Sequence, residues 1–266
     1  LAGIVLLFSG GHDSITLAHL MKDRASHAAH ANTGIGIEKT RQFVRDTCKE
    51  WGLPLIEEHT LPQDQYRTWV KEYGFPGPSK HWKAYGHLKQ NSLRRVRRQL
   101  VGSNAHKRVI FLAGRRRDES KIRAKIPMID VEGSTIWVSP IVHWTKPDIQ
   151  LYRSTHDVPV NEVADLIHKS GECLCGCFAS EGEREELEYW FPDDLAMLKD
   201  IEAEIADDPK IPSFCKKWGW GADPEMIKAA YGTGNKAELI PSPSGNACGG
   251  CTAAFEAQQE HNHVGD

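Results

Sequence analysis

The apolar run Ile4-Val5-Leu6-Leu7-Phe8 passes directly into Ser9-Gly10-Gly11-His12-Asp13-Ser14. A short continuous apolar run reads as a strand buried on both faces, and the sequence predicts a helix starting near Ser14. The turn between them has the chemistry of a phosphate site. Gly10 and Gly11 let the backbone come close to an anion, and the helix start turns unpaired N–H groups toward it. The hydroxyls of Ser9 and Ser14 add donors, and Asp13 is placed to orient the loop or a bound Mg²⁺. Ordinary turns use the same residues; strand, glycines and helix in succession distinguish the phosphate reading. No Gly-Lys-Ser/Thr follows, so this is not a Walker A loop.

The first 160 residues continue the alternation. Candidate strands are Ile4–Phe8, His27–Ala31, Leu55–His59, Arg108–Ala113 and Thr135–Ser139, with helices expected near 14–24, 38–51, 64–73 and 82–101. This order specifies an α/β fold, a doubly wound parallel sheet with helices on both faces. Ligands bind such sheets beyond the C-terminal strand ends. The glycine loop, Asn32-Thr33-Gly34 and Gly114-Arg115-Arg116 each follow a predicted strand, so all three are expected on one rim. The Phe75-Pro-Gly-Pro-Ser79 stretch reads as a loop and a candidate lid. Further helices are expected from Pro147 to about His156 and over Asn161–Lys169.

After Gly171 the character changes to cysteines and acidic helices, with Leu195, Leu198, Ile201 and Ile205 at helical spacing. The expected division is a nucleotide-binding α/β domain over 1–170 and a cysteine-rich, helical, metal-binding C-terminal region over 171–266. No apolar run is long enough to span a membrane and no signal-peptide pattern is present, so the expected location is the cytoplasm. The net charge of −3 hides an asymmetry: Lys89 to Lys125 holds thirteen Lys/Arg and two acids, whereas Glu181 to Asp208 holds twelve acids and two bases. The basic segment 89–125 is a candidate for an anionic nucleotide or a nucleic-acid substrate, against the plainer reading of a solvated helix face for Arg94, Arg95, Arg97 and Arg98.

Gly114-Arg115-Arg116-Arg117-Asp118-Glu119-Ser120-Lys121-Ile122-Arg123 fits G-x-R-x-x-E-S-x-x-R. Arg116 and Arg123 can fork onto phosphate or sulfate oxygens, Glu119 can hold an arginine in place, and Ser120 can donate to an oxyanion. This segment resembles the second signature of the phosphoadenosine phosphosulfate (PAPS) reductase family, and Ser9–Ser14 resembles the SGGxDS loop of its parent PP-loop superfamily, the adenine nucleotide alpha hydrolase-like enzymes. Asn32-Thr33-Gly34 with Glu38-x-Thr40 resembles the family's D-T-G-x-x-x-x-E-T segment, with Asn for Asp. Pro140-Ile141-x-x-Trp144-x-x-x-Asp148-x-x-x-Tyr152, followed by His156-x-x-Pro159-x-Asn161, resembles the region after the last sheet strand. The likeness covers about residues 3–177. It implies an adenine-nucleotide site of Ser9, Gly10, Gly11, Asp13, Ser14, Thr33, Gly34, Gly114, Arg116, Glu119, Ser120 and Arg123, with Asp13, Arg116 and Arg123 as the catalytic candidates.

Three departures stand out. His12 occupies a position where many relatives carry lysine, which removes a permanent cation from the phosphate site. In iron–sulfur adenylylsulfate reductases a Cys-Cys pair precedes a segment like His87–Leu93; here those positions are Ala84-Tyr85. The family's reductases also carry a catalytic cysteine in a Glu-Cys-Gly-like tail, which His261-Asn262-His263-Val264-Gly265-Asp266 does not match.

Seven cysteines are present, five of them in the groups Cys173-Leu-Cys175-Gly-Cys177 and Cys248-Gly-Gly-Cys251. Close-spaced thiolates favour metal binding over a disulfide framework in an intracellular chain. Cys173, Cys175, Cys248 and Cys251 are the expected ligands; Cys177 and Cys215 are reserves or packed residues, and Cys48 is expected in the core. The family resemblance implies a [4Fe–4S] cluster, with zinc as the alternative. The sequence therefore reads as a PAPS reductase-like enzyme acting on PAPS, APS or ATP in sulfur chemistry. Its alternatives are ATP-dependent adenylation and sulfur insertion into nucleic acid, of the tRNA thiolation or DNA phosphorothioation type, with Mg²⁺ accompanying ATP, and a non-catalytic nucleotide- or nucleic-acid-binding module. A homodimer is compatible with either enzyme reading. Trp218 and Trp220 are expected to pack the C-terminal region onto the main domain rather than stack on a base.

Overall fold

The computed structural model describes residues 1–104, 106–121 and 123–232. The elements run β1 (Gly3–Leu7), α1 (His12–Met21), β2 (His27–Asn32), α2 (Glu38–Glu50), β3 (Leu55–His59), α3 (Tyr66–Tyr73), α4 (His81–Tyr85), α5 (Asn91–Val101), β4 (Val109–Leu112), β5 (Ile129–Glu132), β6 (Thr135–Val138), α6 (Lys146–Thr155), α7 (Glu162–Leu166), α8 (Glu183–Trp190), α9 (Pro192–Ile205) and α10 (Pro224–Tyr231). The six described strands form one sheet in the order β3-β2-β1-β4-β6-β5. All neighbours are parallel except β5, which runs antiparallel to β6 at the edge.

β1 lies at the centre because it is apolar throughout; Val5 and Leu6 are fully buried, each contributing about 1.5–3 kcal/mol of transfer free energy. One sheet face packs Leu6, Phe8, Ile15, Leu17 and Val44 together, and the other packs Val5, Ala29, Val96, Phe111 and Trp137. The five strands read from sequence are all present. The sixth, β5, was not expected: its four residues are exposed, with Asp130 and Glu132 interrupting the apolar positions, so it lacks the pattern of a buried strand.

Three other expectations are corrected. α1 begins at His12, two residues before Ser14, so the histidine belongs to the helix's first turn. The helix expected over 82–101 is interrupted by a π-helical turn over Gly86–Gln90, which turns Leu88 and Lys89 inward. The Phe75–Ser79 loop is not a lid. Phe75 and its neighbours to Pro78 are buried, and the Phe75 carbonyl accepts from Trp220 Nε1 at 2.8 Å while its N–H donates to the Cys215 carbonyl at 2.7 Å.

The residues after 170 share a core with those before it. Leu195, Leu198, Ile201 and Ile205 of α9 form the buried stripe that their spacing predicts, and pack in one cluster with Trp69, Phe75, Leu88, Trp218 and Trp220. Both tryptophans are packing residues: Trp218 Nε1 donates to the Leu174 carbonyl at 2.7 Å. No described helix is long and apolar enough to cross a membrane.

Candidate nucleotide and cysteine site

Because β2, β1 and β4 are adjacent and parallel, their C-terminal ends deliver the three loops to one rim. Gly10 takes φ +80, and a Cβ there would meet Thr40 Cγ2 at 2.9 Å and Asn161 Nδ2 at 3.1 Å, so both backbone conformation and space demand glycine. Gly11 is the extended N-cap of α1, and among the described residues no side chain caps that helix end. Its N–H groups are therefore available to an anion. Ser9 Oγ donates to Ser14 Oγ at 3.1 Å, and Ser14 Oγ donates to the Gly11 carbonyl at 2.9 Å, which fixes the turn from within.

Gly114 brings the arginine signature against this loop. A Cβ on Gly114 would meet the backbone of Asp13 and Ser14 at 3.1–3.2 Å. Arg116 Nε then donates to Asp13 Oδ1 at 2.9 Å. One Glu119 oxygen accepts from the Arg116 N–H at 2.8 Å and from Arg123 Nη1 at 3.0 Å, so the carboxylate holds both halves of the signature. Burial, and next the Glu119 carboxylate, push Asp13 up to about 6, against the pull of the Arg116 guanidinium. Ser120 is buried, its Oγ accepting from the Arg123 N–H at 3.3 Å. Arg115 lies beneath the site, donating to Ser139 Oγ at 3.0 Å with its guanidinium over the Trp137 ring.

On the β2 side, the Gly34 N–H donates to Asn32 Oδ1 at 3.0 Å, so Asn serves the turn in the place of Asp. Thr33 is buried, and its hydroxyl donates to the Glu172 carbonyl at 2.8 Å.

The segment 161–175 clasps the loop and then becomes the cysteine loop. Asn161 Nδ2 donates to the Gly10 carbonyl at 2.9 Å, while its Oδ1 caps α7 by accepting from the Val163 N–H. Asp165 meets His12, and the Thr40 hydroxyl donates to the Ser170 carbonyl at 2.7 Å. The Ile37 N–H donates to the Gly171 carbonyl, and the Leu174 N–H to the Ile35 carbonyl. Tyr66 Oη donates to the Cys175 carbonyl at 2.7 Å. Sequence reasoning did not assign Asn161, Asp165, Ser170 or Glu172 to the site. Asn161 carried a usable signal, an N-cap residue ahead of Glu162 and Val163.

A small cavity beside this segment is lined by His81, Ala84, Tyr85, Leu88, Lys89, Cys173 and Cys175. Lys89 and Glu172 form a buried ion pair at 3.1 Å. Burial, with the cations of Lys89 and Arg123 nearby, pushes His81 down to about 4. Arg123 thus stands at the junction between the arginine signature and the cavity. A hydrogen bond with Cys175 and then burial raise the Cys173 thiol, with Lys89 opposing.

Of the expected metal ligands, the described residues include Cys173 and Cys175. Cys173 and Cys175 present paired thiols, and Ala84 and Tyr85 line the cavity with them. Among the described residues no three candidate ligands come together. Cys248 and Cys251 lie outside the described residues. Cys177 and Cys48 are buried, and Cys215 is buried with its thiol donating to the Pro212 carbonyl at 3.2 Å.

The basic segment is only partly consumed by the fold. Arg95 binds Glu58 at 2.7 Å, Arg97 reaches Ser134, and Lys89, Arg116 and Arg123 serve as described above. Arg94, Arg98, Lys107, Arg108, Arg117, Lys121 and Lys125 are exposed.

A central, mostly parallel sheet with a Ser-Gly-Gly loop at its rim defines an α/β protein of the PP-loop type. The family model described as the phosphoadenosine phosphosulfate reductase domain matches residues 3–179, and the chain belongs to that family. Adenosine 5′-phosphosulfate reductase of Deinococcus radiodurans is 40% identical over 68 residues, covering 26% of this chain and 25% of that protein. Adenosine 5′-phosphosulfate reductase of Halalkalibacterium halodurans is 27% identical over 153 residues, covering 55% of this chain and 60% of that protein. The chain thus spans less than two thirds of the length of either relative. The solved phosphate complex of PAPS reductase from Candida auris superposes with a TM-score of 0.46 at 19% identity, covering 61% of this chain and 77% of that one.

Proposed function

We propose that the chain is an enzyme of sulfur metabolism that binds an adenine nucleotide at Ser9–Ser14 and directs its anionic end toward Arg116 and Arg123. The contact of Gly114 with the Asp13–Ser14 backbone supports this reading, because Arg116 then pairs with Asp13 at the start of α1 and Glu119 links Arg123 to it. The leading substrate is APS or PAPS and the leading reaction is reduction to sulfite. Arg116 and Arg123 orient the anionic end, and Asp13 and Glu119 hold the guanidiniums in place before the nucleotide arrives. Ser9, Gly10, Gly11, Ser14, Thr33, Gly34, Gly114 and Ser120 shape the cradle. We assign Cys173, Cys175, Cys248 and Cys251 as ligands of a [4Fe–4S] cluster, with zinc as the alternative; such a cluster would supply redox or polarising chemistry beside the anionic end.

One observation favours the second reading, ATP-dependent sulfur insertion into an acceptor. A thiol that attacks sulfur must reach the substrate, and Cys177 and Cys215 are both buried. Adenylation needs only charge stabilisation and in-line geometry at the α-phosphate. The two separate in one assay on anaerobically purified protein, after metal analysis. Thiol-dependent sulfite release from APS or PAPS supports reduction. Pyrophosphate release from ATP with an acceptor, without sulfite, supports insertion. Neither product, with salt-sensitive nucleic-acid binding, would leave a binding module.

A further inference from the structure

His12 is the first residue of α1 and sits on the phosphate loop between Gly11 and Asp13. Its Nε2 lies 2.6 Å from Asp165 Oδ1. A carboxylate accepts, so Nε2 carries the hydrogen, and in the neutral ring Nδ1 then presents a lone pair. The side chain remains 34% exposed, and Nδ1 has no hydrogen-bond partner among the described residues.

The groups facing this ring come from three elements. Asp165 of α7 and Asp13 of α1 favour its protonation; Arg153 of α6, with Nη2 at 3.7 Å from the same Asp165 oxygen, disfavours it. Burial is the largest influence and disfavours the charged form, with Arg153 next, and the balance lowers the ring below its ordinary value. In the empty site at neutral pH the side chain therefore presents a lone pair at Nδ1. An incoming polyanion reverses that balance, because a nearby negative charge favours imidazolium.

We propose that His12, steadied by Asp165, is a proton-dependent ligand for the anionic end of the nucleotide: as the anion arrives, Nδ1 takes up a proton from solvent and becomes a donor to it. This rests on the nucleotide reading above. It deepens that reading by assigning to the loop a cation that the side chain acquires only on binding.

The test is isothermal titration calorimetry of the full chain with ATP and with inorganic pyrophosphate at pH 7.5, in buffers of different ionisation enthalpy. The wild-type protein should take up about one proton per ligand, and its Kd should rise about tenfold per pH unit above neutrality. His12→Asn should lose the uptake and the slope. His12→Lys should lose the uptake while keeping tight binding at pH 8.5. The ligand's own titration is common to all variants and cancels in the comparison. Asp13 is intact in both variants, so undiminished uptake in His12→Asn would assign the proton to Asp13 and overturn the proposal. Failure of the wild-type protein to bind either probe would overturn the nucleotide reading as well.

Discussion

Asp13→Asn should stabilise the ligand-free protein at neutral pH and do nothing for it in acid. Asp13 is raised from 3.8 to about 6, chiefly by burial and by the Glu119 carboxylate. A raised carboxyl binds its proton more tightly in the folded state. Its stabilising contribution is complete below the unfolded value and is lost as pH climbs through the folded one. A shift of about two units corresponds to about 3 kcal/mol across the whole window, of which about 2 kcal/mol falls between pH 4.5 and 7.5. Asparagine keeps an acceptor for Arg116 Nε and carries no charge. Urea unfolding of both proteins at pH 4.5 and 7.5 gives the stability difference at each pH, and that difference should move by about 2 kcal/mol in favour of the variant at the higher pH. A pH-independent difference, or one moving the other way, would refute the claim that the empty site holds this carboxylate at a cost. The same variant should bind nucleotide more weakly, because Arg116 loses the charge that orients it.

Arg116→Lys and Arg123→Lys should each weaken APS or PAPS binding by about tenfold or more, since an ammonium cannot reproduce a two-pronged contact; wild-type affinity in both, by calorimetry, would reduce the signature to a charged surface. Asn161→Ala removes the donor to the Gly10 carbonyl and the cap of α7; it should lower stability by about 1–3 kcal/mol in urea melts and weaken nucleotide binding. Because segment 161–175 ties the phosphate loop to the cysteine loop, a saturating nucleotide should slow alkylation of Cys173 and Cys175 in metal-free protein by about threefold or more, read by mass spectrometry; equal rates would show the two loops to be uncoupled.

The sheet and the Ser-Gly-Gly turn were legible because their signals are local. An apolar run such as Ile4–Phe8 fits only a buried strand, and two glycines before a helix start have a small repertoire. The stripe Leu195, Leu198, Ile201 and Ile205 was legible for the same reason. What escaped depends on partners distant in sequence. Asp165 meets His12 across 153 positions and Thr33 meets Glu172 across 139, and no spacing within either segment announces the pairing. The edge strand β5 escaped because no described residue buries it: its four residues are exposed and lack a buried-strand pattern. The loop at Phe75–Ser79 has lid-like composition, yet Trp220 and Cys215 bury it, a tertiary fact that its Pro and Gly content does not reveal.

The central claim is that one rim joins an adenine-nucleotide cradle to a thiol-lined cavity. A crystal structure of the anaerobic protein with bound APS tests it most directly. The account predicts the phosphosulfate against the backbone N–H groups at the start of α1, its oxygens on Arg116 and Arg123, and its sulfur directed toward the cavity of Cys173 and Cys175. A nucleotide bound away from the Ser9–Ser14 loop, or one whose sulfo group points away from that cavity, would contradict it.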